Sequence, residues 1–166
     1  MQKQTHLPFF VYGTLLPEQP NFFLWGTAIK KMEPATFSSG QLYDMGYYPM
    51  MITAVPSELV QGMYIQGMCI TVKASQYDII TQQLDELEGY DPNNPDESDY
   101  LRQQIEVVLA DGRSLPAWAY LGQPQYVQGK PLIKGGSWIN YVDNHSDDLQ
   151  EWWKTIYTVM GRHRNE

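Results

Sequence analysis

Two alternating apolar–polar runs separated by an Asp-Gly turn constrain the fold more than any other feature of the chain. Residues 100–109 alternate around Leu101, Ile105, Val107 and Leu109, and residues 114–121 follow after Asp111-Gly112. Such a pattern predicts an antiparallel hairpin. The N-terminal half is also strand-rich. Residues 7–12 (LPFFVY) form a short apolar run that stops at Gly13, as expected of a buried strand. Residues 36–43 and 48–53 read as strands around a turn carrying Asp44 and Gly46. Residues 60–72 are β-rich, with Gly62 and Gly67 marking a bulge or close packing, so a bend or break is expected there.

One helix is clear. Residues 76–88 carry Tyr77, Ile80, Leu84 and Leu87 at helical spacing, and these form the buried stripe. Ser75 is the expected N-cap, Asp78 suits the first turn, and Gly89 stands where a left-handed C-terminal residue belongs. A short helix is expected within residues 21–29, interrupted by Gly26. A longer one is expected over 146–160, capped by Ser146 and striped by Leu149, Trp152 or Trp153, Ile156 and Met160. Hairpin-type connections outnumber crossovers of βαβ length. The expected class is α+β: a mixed, strongly curved sheet or small β-barrel with a few flanking helices.

A chain of 166 residues is close to one ordinary domain, expected to span 1–166 with a core at about 8–140. Its 43% hydrophobic and 18% charged content suits a packed core. The net charge of −8 and pI near 4.7 argue against nucleic acid or an anionic membrane as a partner. No apolar segment approaches the roughly 20 residues of a membrane span, and the start of the chain lacks a signal-peptide core. The single Cys69 cannot form an intrachain disulfide and suits a reducing compartment, so a cytoplasmic location is expected. His6, His145 and His163 are scattered without metal-ligand spacing, and no metal site is expected. The acidic, proline-bearing residues 91–99 read as an exposed loop, either a lid or solvated slack.

Two local features carry chemistry. Glu88 is four residues after Leu84 and one after Leu87, which puts a carboxylate on or beside the apolar stripe. Burial and the negative end of the helix both raise a carboxyl pKa, and a carboxyl so tuned can serve as an acid or base near neutral pH. A half-solvated last turn is the plainer alternative. At Gly13, the chain leaves a buried strand through a turn in which successive backbone N–H groups can converge on an anion. An ordinary turn is the plainer alternative here too.

These pieces, in this order, resemble the gamma-glutamylcyclotransferase-like superfamily. Tyr12-Gly13-Thr14-Leu15 looks like its YGTL substrate loop, and Gly40 to Pro49 like its G-x-LYD-x-G-x-YP element. Gln66-Gly67-Met68 resembles its central glycine stretch, although Cys69 and Ile70 depart from that pattern. Leu84 to Gly89 looks like its LD-x-x-EG helix end, Tyr100-Leu101-Arg102 like its Y-x-R strand start, Ala117 to Tyr120 like its A-W-x-Y strand, and Gly136-Ser137-Trp138 like its G-x-W close.

The resemblance implies a cofactor-free enzyme that releases 5-oxoproline from a γ-glutamyl amine by attack of the substrate's own α-amine. It carries the catalytic role to Glu88 and substrate binding to Tyr12, Gly13, Thr14, Leu15 and Tyr100, with Asp44 and Arg102 as supporting candidates. The implied partner is a small γ-glutamyl molecule; the amine half and the oligomeric state stay open. Two alternatives stand beside it. One is a specialised enzyme that removes a γ-glutamyl group in a biosynthetic pathway. The other is a non-catalytic domain of the same fold that binds small molecules or proteins, for which an occluded cavity or a solvent-facing Glu88 is expected.

Overall fold

The computed structural model describes residues 6–53 and 63–144. The helix expected at 146–160, together with Trp152 and Trp153, lies outside the described residues, as do Gly62 and the start of the 60–72 run.

Among the described residues, seven strands build two sheets. β1 (Phe9–Val11), β5 (Ile65–Val72), β2 (Ile29–Phe37), β6 (Tyr100–Leu109) and β7 (Ser114–Gly122) close into a barrel in that order. All pairings are antiparallel except the closing one, a parallel contact of Phe9 with Trp118. β3 (Gly40–Asp44) and β4 (Pro49–Thr53) form a separate hairpin. The expected class of an α+β domain around a small barrel is thus the observed one.

The β6–β7 hairpin runs in register from Tyr100 opposite Gly122 to Val108 opposite Ser114. Its inward residues Ile105, Val107 and Leu109 are buried while Glu106 and Val108 are exposed, the period of two seen in the sequence. β1 is buried on both faces. Phe10 packs in one apolar cluster with Val107, Ala117 and Trp138, whereas Phe9 and Val11 pack in another with Trp25, Ile70 and Leu84. α1 (Tyr77–Leu87) covers that second face with Tyr77, Ile80 and Leu84. Leu84 is 1% exposed, and truncating such a side chain to alanine costs about 2–5 kcal/mol.

Four expectations need correction. Residues 36–43 are not one strand: Phe37 ends β2, and β3 begins at Gly40 after a bend at Ser38-Ser39. No break occurs at Gly67, and β5 is continuous through it. The glycine is needed for space, since a Cβ there would lie 2.2 Å from the Val11 carbonyl oxygen. Ser75 does not cap α1; it lies in a 3-10 turn, Ala74–Gln76, that leads into the helix. The short helix in 21–29 is a 3-10 turn, Phe22–Trp25, closed by Gly26.

A second α-helix, α2 (Trp138–Asn144), was not foreseen. Ser137 Oγ accepts from the Asn140 N–H at 3.2 Å, the N-terminal capping bond that starts it.

Candidate functional site

Glu88 is set by the way α1 ends. It occupies the C-cap, still in right-handed helical geometry, and Gly89 follows in the left-handed region at φ 65°. The Tyr90 N–H reaches back to the Asp85 carbonyl at 2.9 Å and the Gly89 N–H to the Glu86 carbonyl at 3.3 Å. This pair of bonds is a Schellman motif, and it fixes the direction in which Glu88 leaves the helix.

Glu88 lines an open cavity of about 520 Å³ with Tyr12, Gly13, Thr14, Leu15 and Tyr100. The cavity lies where the end of β1, the start of β4, the end of α1 and the start of β6 converge. Tyr48, Tyr120, Tyr126 and Asp99 complete much of its wall, and no lysine, arginine or histidine is among its lining residues. The surrounding protein strips water from the Glu88 carboxyl and pushes its pKa up to about 8, although part of the side chain stays accessible from the cavity. A carboxyl in this range changes protonation near neutral pH.

The loop after β1 presents backbone donors. Among the described residues, the N–H groups of Gly13, Thr14 and Leu15 have no backbone acceptor. The other polar groups of the loop are committed elsewhere. Thr14 Oγ1 and the Thr14 carbonyl accept from Asn21, the Leu15 carbonyl accepts from the Trp25 indole, and the Gly13 carbonyl accepts from Leu16. Gly13 is required here for close packing rather than for an unusual φ: a Cβ would lie 2.6 Å from Pro49 Cγ.

The two expected tyrosines are anchored through their hydroxyls. Tyr12 donates to the Tyr120 carbonyl at 2.6 Å and accepts from the Met51 N–H at 3.3 Å. Tyr100 donates to the Pro49 carbonyl at 3.0 Å. Burial, reinforced by the neighbouring Glu88, holds both phenols well above their usual range, so both stay neutral. With its proton committed to Pro49, Tyr100 contributes its ring and a fixed hydroxyl to the wall rather than a free donor.

The two supporting candidates lie outside the lining. Asp44 caps the β3–β4 turn, accepting from the Gly46 N–H at 2.7 Å, and also accepts from the Tyr141 hydroxyl of α2. Arg102 pairs with Asp85, Nε to Oδ1 at 3.0 Å and Nη2 to Oδ2 at 3.4 Å. Asp85 also accepts from the Tyr120 hydroxyl at 2.6 Å.

Within the loop of residues 91–99, Asp91 accepts from the Asn93 N–H and the Asn94 amide, and only Asp99 lines the cavity. Cys69 is buried, and burial lifts its thiol pKa to about 11, as suits a core residue rather than a nucleophile. Among the described residues no cluster could hold a metal ion, and no helix is long and apolar enough to cross a membrane.

The sequence reading missed Tyr48, Asp99, Tyr120 and Tyr126 as wall residues. Tyr48 and Tyr120 stand within the motif-like stretches Tyr48-Pro49 and Ala117 to Tyr120; Asp99 and Tyr126 lie in loops with no such signal.

The chain was compared with known proteins. No curated protein matches it significantly. Among solved structures, YkqA from Bacillus subtilis superposes with a TM-score of 0.60 at 21% identity, covering 85% of this chain and 43% of that one. A uropathogenic E. coli-specific protein gives 0.54 at 16% identity, covering 82% and 95%. A gamma-glutamyl cyclotransferase gives 0.50 at 14% identity, covering 76% and 69%. At these identities the likeness is one of fold. The family model for gamma-glutamyl cyclotransferase, AIG2-like, matches residues 9–140. That span holds the seven strands of the described residues, α1 and the lining residues of the cavity, and the chain therefore belongs to the gamma-glutamyl cyclotransferase, AIG2-like family.

Proposed function

We propose that the protein releases 5-oxoproline and a free amine from a γ-glutamyl amine or peptide, with Glu88 as general base and then general acid. One observation carries the reading: a carboxyl with its pKa raised to about 8 lines the same cavity as Gly13, Thr14 and Leu15, whose N–H groups have no backbone acceptor among the described residues.

The chemistry needs no protein nucleophile. The substrate's α-ammonium, beside its own α-carboxylate, gives up its proton far above the range of an ordinary carboxyl, and a Glu88 pKa raised to about 8 narrows that gap. The freed amine attacks the γ-carbonyl carbon, a C–N bond forms to close the five-membered ring, and the γ-amide C–N bond breaks. Both protons lost by the α-nitrogen end on the departing amine, which leaves as an ammonium, and Glu88 relays them. The N–H groups of Gly13, Thr14 and Leu15 hold the substrate's anionic groups, which suits a cavity lined by no basic side chain. The wall keeps the chain of the γ-glutamyl group folded, the positioning contribution that ring closure requires.

The test is to incubate the protein with a panel of γ-glutamyl amines and γ-glutamyl dipeptides and to quantify 5-oxoproline. Turnover of at least one compound, well above the buffer rate, is expected. No turnover of any member would overturn the reading.

A further inference from the structure

We infer that Arg102 is a positioning residue for Glu88, acting by clamping the Schellman turn that ends α1 onto the barrel; the catalytic part of this role rests on the function proposed above.

The Schellman motif around Glu88 is defined by two residues that flank it, Asp85 and Tyr90, joined by the 2.9 Å bond from the Tyr90 N–H to the Asp85 carbonyl. Arg102 holds both. Its guanidinium forms a two-point pair with the Asp85 carboxylate and lies over the Tyr90 ring, 5.6 Å from the centroid. It also lies over the Trp118 ring of β7, 4.9 Å from the centroid. Arg102 and Tyr120 are cross-strand neighbours in β6 and β7, and the Tyr120 hydroxyl grips the same carboxylate at 2.6 Å. Asp85 therefore receives three hydrogen bonds from two adjacent barrel strands. A carboxylate held by both a guanidinium fork and a phenol is fixed in orientation as well as position.

The pair is largely shielded, with side-chain exposures of 19% for Arg102 and 14% for Asp85. Isolated exposed ion pairs add little stability. A pair that joins the two ends of a helix cap to a rigid sheet defines geometry instead. Through Asp85 and Tyr90 the clamp determines where the intervening Glu88 sits relative to Tyr12 just after β1, Tyr48 of the β3–β4 turn, Asp99 just before β6, Tyr100 at its start, Tyr120 of β7 and Tyr126 beyond it. These are the titratable groups that line the cavity with it. A displacement of about 1 Å at such a group costs roughly a hundredfold in rate.

Arg102→Lys separates this role from simple support, because lysine keeps the charge beside Asp85 but loses the planar fork and the stacking on both rings. Two quantities are read on the folded variant: kcat and KM for a γ-glutamyl amine, and the titration of the Glu88 carboxyl by carbon-13 NMR. The expected result is a kcat lowered about tenfold or more with KM within threefold, and a Glu88 titration moved downward by about one unit as water reaches the loosened turn. Kinetics within twofold of wild type together with an unmoved titration would overturn the clamp. If Arg102→Lys does not fold, Tyr90→Leu decides on the same readouts, since it retains the charges and an apolar contact while removing the ring beneath the guanidinium. The NMR titration needs no turnover, so it tests the clamp even if no γ-glutamyl compound proves to be a substrate.

Discussion

Gly13 and Pro49 are packed so closely that a Cβ on the glycine would lie 2.6 Å from Pro49 Cγ. The contact seats the donor loop against the start of β4, and the Pro49 carbonyl accepts in turn from Tyr100. Gly13→Ala must displace the proline ring and disturb that bond. Overpacking of this kind costs about 1–3 kcal/mol. Urea unfolding is expected to show that loss, and kcat/KM is expected to fall at least tenfold, because two walls of the cavity move together. An alanine variant with wild-type stability and activity would contradict the packing described.

Tyr12→Phe keeps the ring in the wall but removes a hydroxyl that serves two buried backbone groups, the Tyr120 carbonyl and the Met51 N–H. Leaving buried polar groups unpaired costs about 1–3 kcal/mol each. The expected outcome is a clear drop in the unfolding midpoint with KM changed by less than threefold. A large rise in KM without loss of stability would assign the hydroxyl to substrate binding instead.

Glu88 also makes a stability prediction. Its carboxyl titrates near 8 in the folded protein and near 4.5 when unfolded. Between these values the folded state binds more protons than the unfolded one, so the contribution to stability falls as pH rises through the window. Glu88→Gln removes that dependence. Relative to wild type, the variant is expected to gain stability progressively from about pH 5 to pH 8, by as much as ~4 kcal/mol. Parallel denaturant curves across this range check it, and a constant difference would show that Glu88 titrates as an ordinary carboxyl.

The same pKa shapes the kinetics. A base must be deprotonated in the free enzyme, so kcat/KM is expected to rise through about pH 8 as Glu88 ionises. It then falls at higher pH as the substrate's α-ammonium loses its proton before binding. A bell with its acid limb near pH 8 is the predicted profile, and a rate already maximal at pH 6 would exclude Glu88 as the base.

Much of this site is local in sequence, which is why it could be read there. The stripe from Tyr77 to Leu84 placed Glu88 against the protein, and the left-handed Gly89 ended the helix where expected. The Asp111-Gly112 turn and the alternation in β6 and β7 translated directly into the longest hairpin. What stayed hidden depends on distant partners. β2 carries two lysines, a glutamate and Pro34, a poor strand pattern, yet it forms because β5 pairs along its length. α2 is only seven residues long and begins at a serine cap after a glycine pair, too short for a periodicity to emerge. Asp99, Tyr120 and Tyr126 reach the cavity through barrel closure, and the grip of Arg102 on Asp85 spans seventeen residues across two elements.

The central claim is that Glu88 moves the protons in ring closure, and Glu88→Gln tests it most directly. The side chain keeps its size and its place at the end of α1 but cannot accept a proton. Rates of 5-oxoproline release should be compared for wild type and variant on a γ-glutamyl amine that wild type turns over, with substrate binding measured by calorimetry. The account predicts a loss of about a hundredfold or more in rate, with retained fold and substrate affinity within tenfold. A variant that releases 5-oxoproline at the wild-type rate would contradict it.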